Sequence, residues 1–247
     1  MKLVSIITAT FNNASTIEDA LFSLYSQTYP NIEHIIIDNC SKDQTLDIVQ
    51  KYPFKNRVII SEKDNGLYDA INKGIQKATG DIIGILHADD FYLNNNVVEK
   101  IVNLFSQDYQ GVYADMYYVD RQNTKKISRK WKAGNYTLNS FLYGWMPPHP
   151  TCFVTKKVYE KNGLYRTDLG TAADYEWLLR NMYKYKVPFV YLNEYILAMR
   201  MGGVSNQSIK NRVLANINDR KAWEVNQLQP YFFTLYLKPL RKIFQFL

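Results

Sequence analysis

The residues best able to do chemistry stand at the ends of short apolar runs. His87-Ala-Asp-Asp90 follows Ile82 to Leu86 directly, and adjacent carboxylates repel unless a cation or several hydrogen-bond donors neutralise them. A hard divalent ion bridging to phosphate oxygens is one such neutraliser; the start of a turn or the cap of the next helix is the plain alternative. Asp38 ends another run in Asp38-Asn-Cys-Ser-Lys-Asp43. There a carboxylate can accept from a base N–H while the following helix N-terminus faces phosphate, although ordinary turn chemistry accounts for it too. Thr10, Asn12 and Asn13 close a third run. Three polar strand ends therefore converge on one crevice, and the lack of a Gly-x-Gly-x-x-Gly loop argues against a dinucleotide-binding domain.

The elements that must hold these residues can be read from hydrophobic period. Runs rich in β-branched residues at 3–9, 33–38, 57–61, 81–87 and 111–119 alternate with segments of helical period, the pattern of βαβ units around a mostly parallel sheet flanked by helices. Ser15-x-x-Glu18 and Ser41-x-x-Gln44 read as capping boxes opening two helices. Further helices are expected over 67–78, 96–105, 173–185 and 209–225, with a strand over 189–197. Within 111–119, Val112, Ala114, Met116 and Tyr118 alternate with Tyr113, Asp115 and Tyr117.

Charge divides the chain. The 247 residues carry a net +7, but residues 1–120 hold nine Lys and Arg against sixteen Asp and Glu, net −7, so the remainder carries +14. A uniformly basic nucleic-acid binder is disfavoured, and no nucleic-acid partner is expected. Cys40 and Cys152 are too few for a disulfide framework and lack Cys or His partners for zinc, which fits a reducing cytoplasm. No apolar stretch reaches the ~20 residues of a membrane-spanning helix.

With these residues in view, the ordered set Val4-Ser-Ile-Ile-Thr-Ala-Thr-Phe-Asn12, Asp38-Asn-Cys-Ser-Lys-Asp-Gln-Thr45, Asp64-Asn-Gly-Leu-Tyr-Asp-Ala-Ile-Asn-Lys-Gly74, Ala78-Thr-Gly-Asp81 and His87-Ala-Asp-Asp90 resembles the family 2 glycosyltransferases of GT-A fold. Ala172-Ala-Asp-Tyr-Glu-Trp-Leu-Leu-Arg180 and Gly202-Gly-Val-Ser205 are similar to later motifs of bacterial surface-polysaccharide members. The resemblance spans residues 1–225, a donor-binding half (1–120) and an acceptor-side half (121–225), with 226–247 as a helical extension. It implies transfer of a sugar, with inversion, from a nucleotide-diphosphate donor, expected to be a UDP-sugar, to a saccharide on a polyprenyl diphosphate. Thr10, Asn12, Asp38, Asn72, Lys73 and Asp89 would bind the donor. Asp89 and Asp90 would hold Mg²⁺ or Mn²⁺, which offsets charge on the leaving group, and Asp174 would be the base that deprotonates the acceptor. A helix N-cap is the plain reading of Asp174.

Three departures from the family pattern sharpen these expectations. His87 stands where many relatives carry the first acidic residue, so metal binding rests on Asp89 and Asp90. Ile71 replaces a common arginine, leaving Lys73 or a basic residue of the second half to meet the diphosphate. Thr8-Ala-Thr10 replaces a proline-containing strand end. His149, in a stiff Pro147-Pro-His-Pro150 loop, and Arg200 are further candidates for acceptor or diphosphate contact, local hydrogen bonding and a strand cap being their plainer roles. Gly202-Gly203 reads as a loop able to order over donor. The tail sets Phe233, Tyr236, Leu237, Leu240, Ile243, Phe244 and Leu247 among Lys238, Arg241 and Lys242, suited either to an anionic membrane surface at the inner face of the cell membrane or to packing on its own domain. A nucleotidyltransferase is the alternative enzyme, but residues 10–16 contain no basic side chain. A non-catalytic carbohydrate-binding module would use the aromatics and leave the four aspartates unexplained.

Overall fold

The computed structural model describes residues 1–105, 108–202, 209–241 and 245. The first half alternates β1 (Val4–Thr10), α1 (Ile17–Tyr25), β2 (Ile32–Asp38), α2 (Thr45–Lys51), β3 (Arg57–Ser61), α3 (Leu67–Lys77), β4 (Ile82–Ile85), β5 (Asp90–Tyr92) and α4 (Val97–Leu104). Then come β6 (Gly111–Val119), β7 (Ile127–Trp131), β8 (Phe153–Thr155), α5 (Lys156–Asn162), α6 (Ala173–Leu178), β9 (Phe189–Arg200), α7 (Ile209–Val225) and α8 (Thr234–Arg241). Among the described residues nine strands form one sheet in the order β3-β2-β1-β4-β8-β6-β9-β5, with β7 beside β6.

β1 to β4 pair in parallel. β8 runs against both β4 and β6, so β6 points the same way as β4, and β9 is parallel to β6. The carboxyl ends of β1, β2, β3, β4, β6 and β9 therefore lie along one edge. The expected alternation in β6 holds: Val112, Ala114 and Met116 join a core with α1 and α4, while Tyr113 joins the opposite core with α3, α6 and Trp223 of α7. Gly74 lets α3 approach the sheet, since a Cβ there would come within 2.4 Å of the Ile7 side chain.

Neither expected capping box forms. Helix α1 begins after Thr16 and α2 after Gln44, both without a side-chain cap. Glu18 instead accepts from the Tyr52 hydroxyl at 2.6 Å, and the Ser41 hydroxyl accepts from the Asn12 N–H at 2.9 Å. Tertiary partners replace the local bond and join separate elements: Tyr52 ties the end of α2 to α1, and Ser41 ties the loop after β2 to the loop after β1. The helix expected over 173–185 passes at Leu179 into a wider-turned segment, Leu179–Lys184.

The C-terminal helix packs on its own domain. The Thr234 hydroxyl donates to the Leu142 carbonyl at 2.6 Å, and Lys238 pairs with Asp219 of α7 at 2.7 Å. Gly144 makes this possible: its φ is +73°, and a Cβ would lie 2.5 Å from the Lys238 backbone nitrogen. Gly144→Ala is expected to cost about 1–3 kcal/mol and to release α8, read as a lower Tm and faster hydrogen exchange across 231–241.

Candidate active site

The common strand edge gathers the polar ends. Thr10 and Asp38 are register partners, and the Thr10 carbonyl accepts from the Asn39 N–H at 2.9 Å. The Thr10 hydroxyl donates to Asn13 Oδ1 at 3.2 Å. Asn12 takes a left-handed φ of +52°, which asparagine tolerates better than most residues, and its Oδ1 accepts from the Lys42 N–H at 2.8 Å. Asp38 is fully buried; it accepts from the Ser41 N–H at 3.1 and 3.2 Å and from the Ser61 hydroxyl at 2.6 Å. Beside this network Asp64 accepts from the Gly66 N–H at 2.8 Å and turns the chain into α3.

The acidic pair follows β4. Asp89 is partly open, with Arg121 Nη1 3.9 Å from its Oδ2. Asp90 is wholly buried, and neither of its carboxylate oxygens has a hydrogen-bond partner. Burial first, and then the charge of Asp89, pushes the Asp90 carboxyl well above the usual carboxylate range. The backbone and guanidinium of Arg200 oppose that rise, without reaching hydrogen-bonding geometry to its oxygens.

Asp174 is the second residue of α6, after Ala172 at the cap position, so it is not the N-cap. Its Oδ1 accepts from the Tyr175 N–H at 2.7 Å. His87 senses both acidic groups: burial lowers its pKa, and the charges of Asp89 and Asp174 both pull it upward. Tyr68 of α3 also neighbours Asp174; burial, followed by the Asp174 charge, raises its pKa well above the usual tyrosine value.

The other candidates are engaged elsewhere. Asn72 forms a two-way clamp with the Tyr165 backbone, at 2.8 and 3.0 Å. Lys73 pairs with Glu62 at 2.9 Å and Asp69 at 3.7 Å and donates to the Lys63 carbonyl at 2.7 Å. His149 shares a hydrogen bond of 2.8 Å with the Tyr165 hydroxyl, and burial, then the charge of His87, lowers its pKa to about 3. It is therefore neutral near pH 7 and has no charge to offer a diphosphate. Arg200, at the end of β9, donates to the Asp89 carbonyl at 2.7 Å and pairs with Asp19. Gly203, Val204 and Ser205 of the second loop motif, and Lys242, Ile243, Phe244 and Leu247 of the tail, lie outside the described residues.

Sequence reasoning missed Arg121, Asp19, Tyr68 and the sensitivity of His87 to both acids. For Arg121 a signal existed, because it is the first residue of the basic half, directly after Asp120. Asp19 gave none, being an ordinary first-turn acid of a helix.

Among the described residues no group of three or more His, Cys, Asp or Glu could hold a metal ion. One open carboxylate and one with both oxygens orphaned nevertheless fit a hard divalent ion that takes its remaining ligands from a diphosphate and water.

The chain matches the family model described as glycosyl transferase family 2 over residues 5–163. An uncharacterized glycosyltransferase of Mycobacterium tuberculosis is 32% identical over 179 residues, covering 72% of this chain and 68% of the relative. The dolichyl N-acetyl-alpha-D-glucosaminyl phosphate 3-beta-D-2,3-diacetamido-2,3-dideoxy-beta-D-glucuronosyltransferase of Methanococcus voltae is 28% identical over 274 aligned positions, covering 100% of this chain and 81% of that protein. Among solved structures, S. aureus TarS in complex with UDP-GlcNAc aligns with a TM-score of 0.70 at 18% identity, covering 95% of this chain and 69% of that one. The shared architecture is the GT-A fold.

Proposed function

The chain belongs to glycosyl transferase family 2, and from that premise we propose an inverting hexosyl- or hexosaminyltransferase that moves a sugar from a UDP donor to a lipid-linked saccharide in bacterial surface-polysaccharide assembly. The observation that carries this reading is the acidic pair after β4: Asp89 partly open beside Arg121, and Asp90 wholly buried with both carboxylate oxygens lacking a hydrogen-bond partner. That pair stands on the edge where open α/β sheets bind ligands, and the charges of Asp89 and Asp174 both act on the buried His87 beside it. UDP-GlcNAc is the ligand of the TarS complex, and the Methanococcus voltae relative is named for a dolichyl phosphate-linked sugar; both support the choice of donor and acceptor class.

In this reading Asp38, oriented by Ser41 and Ser61, accepts from the base N–H, while Thr10, Asn12 and the Asn39 backbone shape the nucleoside side. Asn72 acts by holding the Tyr165 backbone against α3. Arg121, at the rim beside Asp89, is better placed than Lys73 to meet the diphosphate. Asp89 and Asp90 would hold the divalent ion, which when bound stabilises charge on the leaving nucleoside diphosphate; a GT-A neighbour, the mannosyltransferase PcManGT from Pyrobaculum calidifontis, is in complex with GDP-Man and Mn²⁺. Asp174 accepts the proton of the acceptor hydroxyl as its oxygen bonds to the anomeric carbon. The bond from that carbon to the diphosphate oxygen breaks on the opposite face, and its electron pair leaves with the nucleotide.

Docking of α8 leaves Phe232 87% exposed, with Tyr231, Tyr236 and Leu240 also outward. That apolar face, beside Arg241 and on the basic half of the chain, supports peripheral contact with an anionic membrane surface at the cytoplasmic face. No described helix is long and apolar enough to cross a membrane.

The test is a screen of sugar nucleotides with Mn²⁺ and a polyprenyl diphosphate-linked saccharide. Release of UDP is expected, and its failure with every donor and acceptor would refute the transferase reading. In calorimetry, Asp89→Asn and Asp90→Asn are each expected to weaken UDP binding by about tenfold or more with Mn²⁺ present, and to change it little without the ion.

A further inference from the structure

The sequence offers Arg200 as a candidate phosphate ligand, but its surroundings assign it different work. Its side chain is 5% exposed. Nη1 donates to the Asp89 carbonyl at 2.7 Å, Nη2 pairs with Asp19 of α1, and the guanidinium lies 5.2 Å from the centre of the Phe91 ring. The preceding residue, Met199, is the β9 partner of Asp90. We propose that Arg200 is a positioning residue that fixes the Asp89–Asp90 turn, and that Asp19 is the counter-charge that holds it there.

The physical case has three parts. A hydrogen bond to the Asp89 carbonyl fixes the peptide joining the two acids, and with it the direction each side chain leaves the turn. A buried guanidinium needs an anionic partner, and Asp19 supplies one at little desolvation cost because its own side chain is 58% exposed. Finally, the arginine fork satisfies a carbonyl and a carboxylate together, which a lysine ammonium does with poorer geometry. The acidic turn is thus held by α1 and β9 as well as by the strand it follows. Reaching a diphosphate would require Arg200 to leave all these partners.

The inference rests on reading Asp89 and Asp90 as the cation-binding pair, and its experiment separates the two ideas. Hydrogen exchange across residues 88–92 in the metal-free protein is measured beside Mn²⁺ binding by electron paramagnetic resonance and UDP binding by calorimetry, for wild type, Asp19→Asn and Arg200→Lys. Both variants are expected to exchange faster across 88–92. Both should bind Mn²⁺ in the UDP complex about tenfold more weakly, with metal-free UDP affinity unchanged and with the metal activation constant, rather than the donor KM at saturating Mn²⁺, carrying the kinetic loss. Asp19→Asn alters a half-exposed side chain and keeps the test available should Arg200→Lys fold poorly. Wild-type exchange in both folded variants overturns the proposal, as does a loss of metal-free UDP affinity in Arg200→Lys alone, which would make Arg200 a phosphate ligand. A wild type that binds neither UDP nor Mn²⁺ refutes the transferase reading instead, and the exchange of 88–92 still decides what Arg200 and Asp19 do.

Discussion

Asp174→Asn is expected to lower kcat by about 10²- to 10⁴-fold while UDP binding and Tm stay near wild type. An amide keeps the size of the carboxylate, and its oxygen can still accept from the Tyr175 N–H, now 2.7 Å from Asp174 Oδ1. What it loses is a group able to take a proton, which in the proposed mechanism comes from the acceptor hydroxyl. Because the base acts in the transition state and touches no part of the donor nucleotide, the loss should fall on kcat and kcat/KM alike. An activity-independent check uses His87. Asp174 raises the pKa of that imidazole against the larger lowering by burial, so removing its charge should move the His87 titration, followed by NMR, to still lower pH. Unchanged turnover in a folded variant would dismiss Asp174 as base, and an unchanged His87 titration would separate it from the acidic pair.

Much of this site is visible in the sequence because strand ends are visible. The β-branched run that ends at Asp38 and the one at Arg57–Ser61 are strands, with Asp38 and Ser61 as register partners. Parallel β1 to β4 then bring their polar carboxyl ends to one edge without further information. What period and composition cannot encode is which long-range partner claims a side chain. Ser41 and Glu18 have the spacing of helix caps, yet they bond to Asn12 and Tyr52 across the fold. Lys73 occupies a motif position suited to phosphate, yet Glu62, four residues beyond Val58 on a neighbouring strand exit, takes its ammonium. Arg200 is the clearest case. Its meaning depends on Asp19, 181 residues away, and on β9 lying beside β5, a pairing that no local pattern announces. The acidic pair could be found from its repulsion, whereas the scaffold that makes the repulsion tolerable could not.

Acid should destabilise the first half of the chain through His34, with a sign that follows from its burial. His34 is buried in β2, with Nε2 2.9 Å from the Thr8 hydroxyl and Nδ1 2.8 Å from the Tyr25 hydroxyl. Burial first, and then the charge of Arg57, lowers its pKa to about 3. The folded protein therefore holds His34 neutral in a range where the unfolded chain binds a proton. Its stabilising contribution is complete above the ordinary histidine value near 6.5 and is lost as pH falls toward 3, by up to about 1.4 kcal/mol per pH unit. His34→Phe isolates this effect. At pH 7.5 it should be less stable by about 1–3 kcal/mol, because two hydroxyls lose their partner. Below pH 6 the gap should close and then reverse, since the variant has no proton to exclude. Chemical denaturation of both proteins from pH 7.5 to 4.5 gives the measurement, and parallel curves would show that His34 is not held neutral. The functional consequence follows from position: Thr8 lies two residues before Thr10 on β1, which is the register partner of Asp38. The folded protein excludes the proton from this strand pair, so acid should weaken UDP binding through His34 only by lowering the folded fraction, a loss that tracks the wild-type unfolding curve and is absent in His34→Phe.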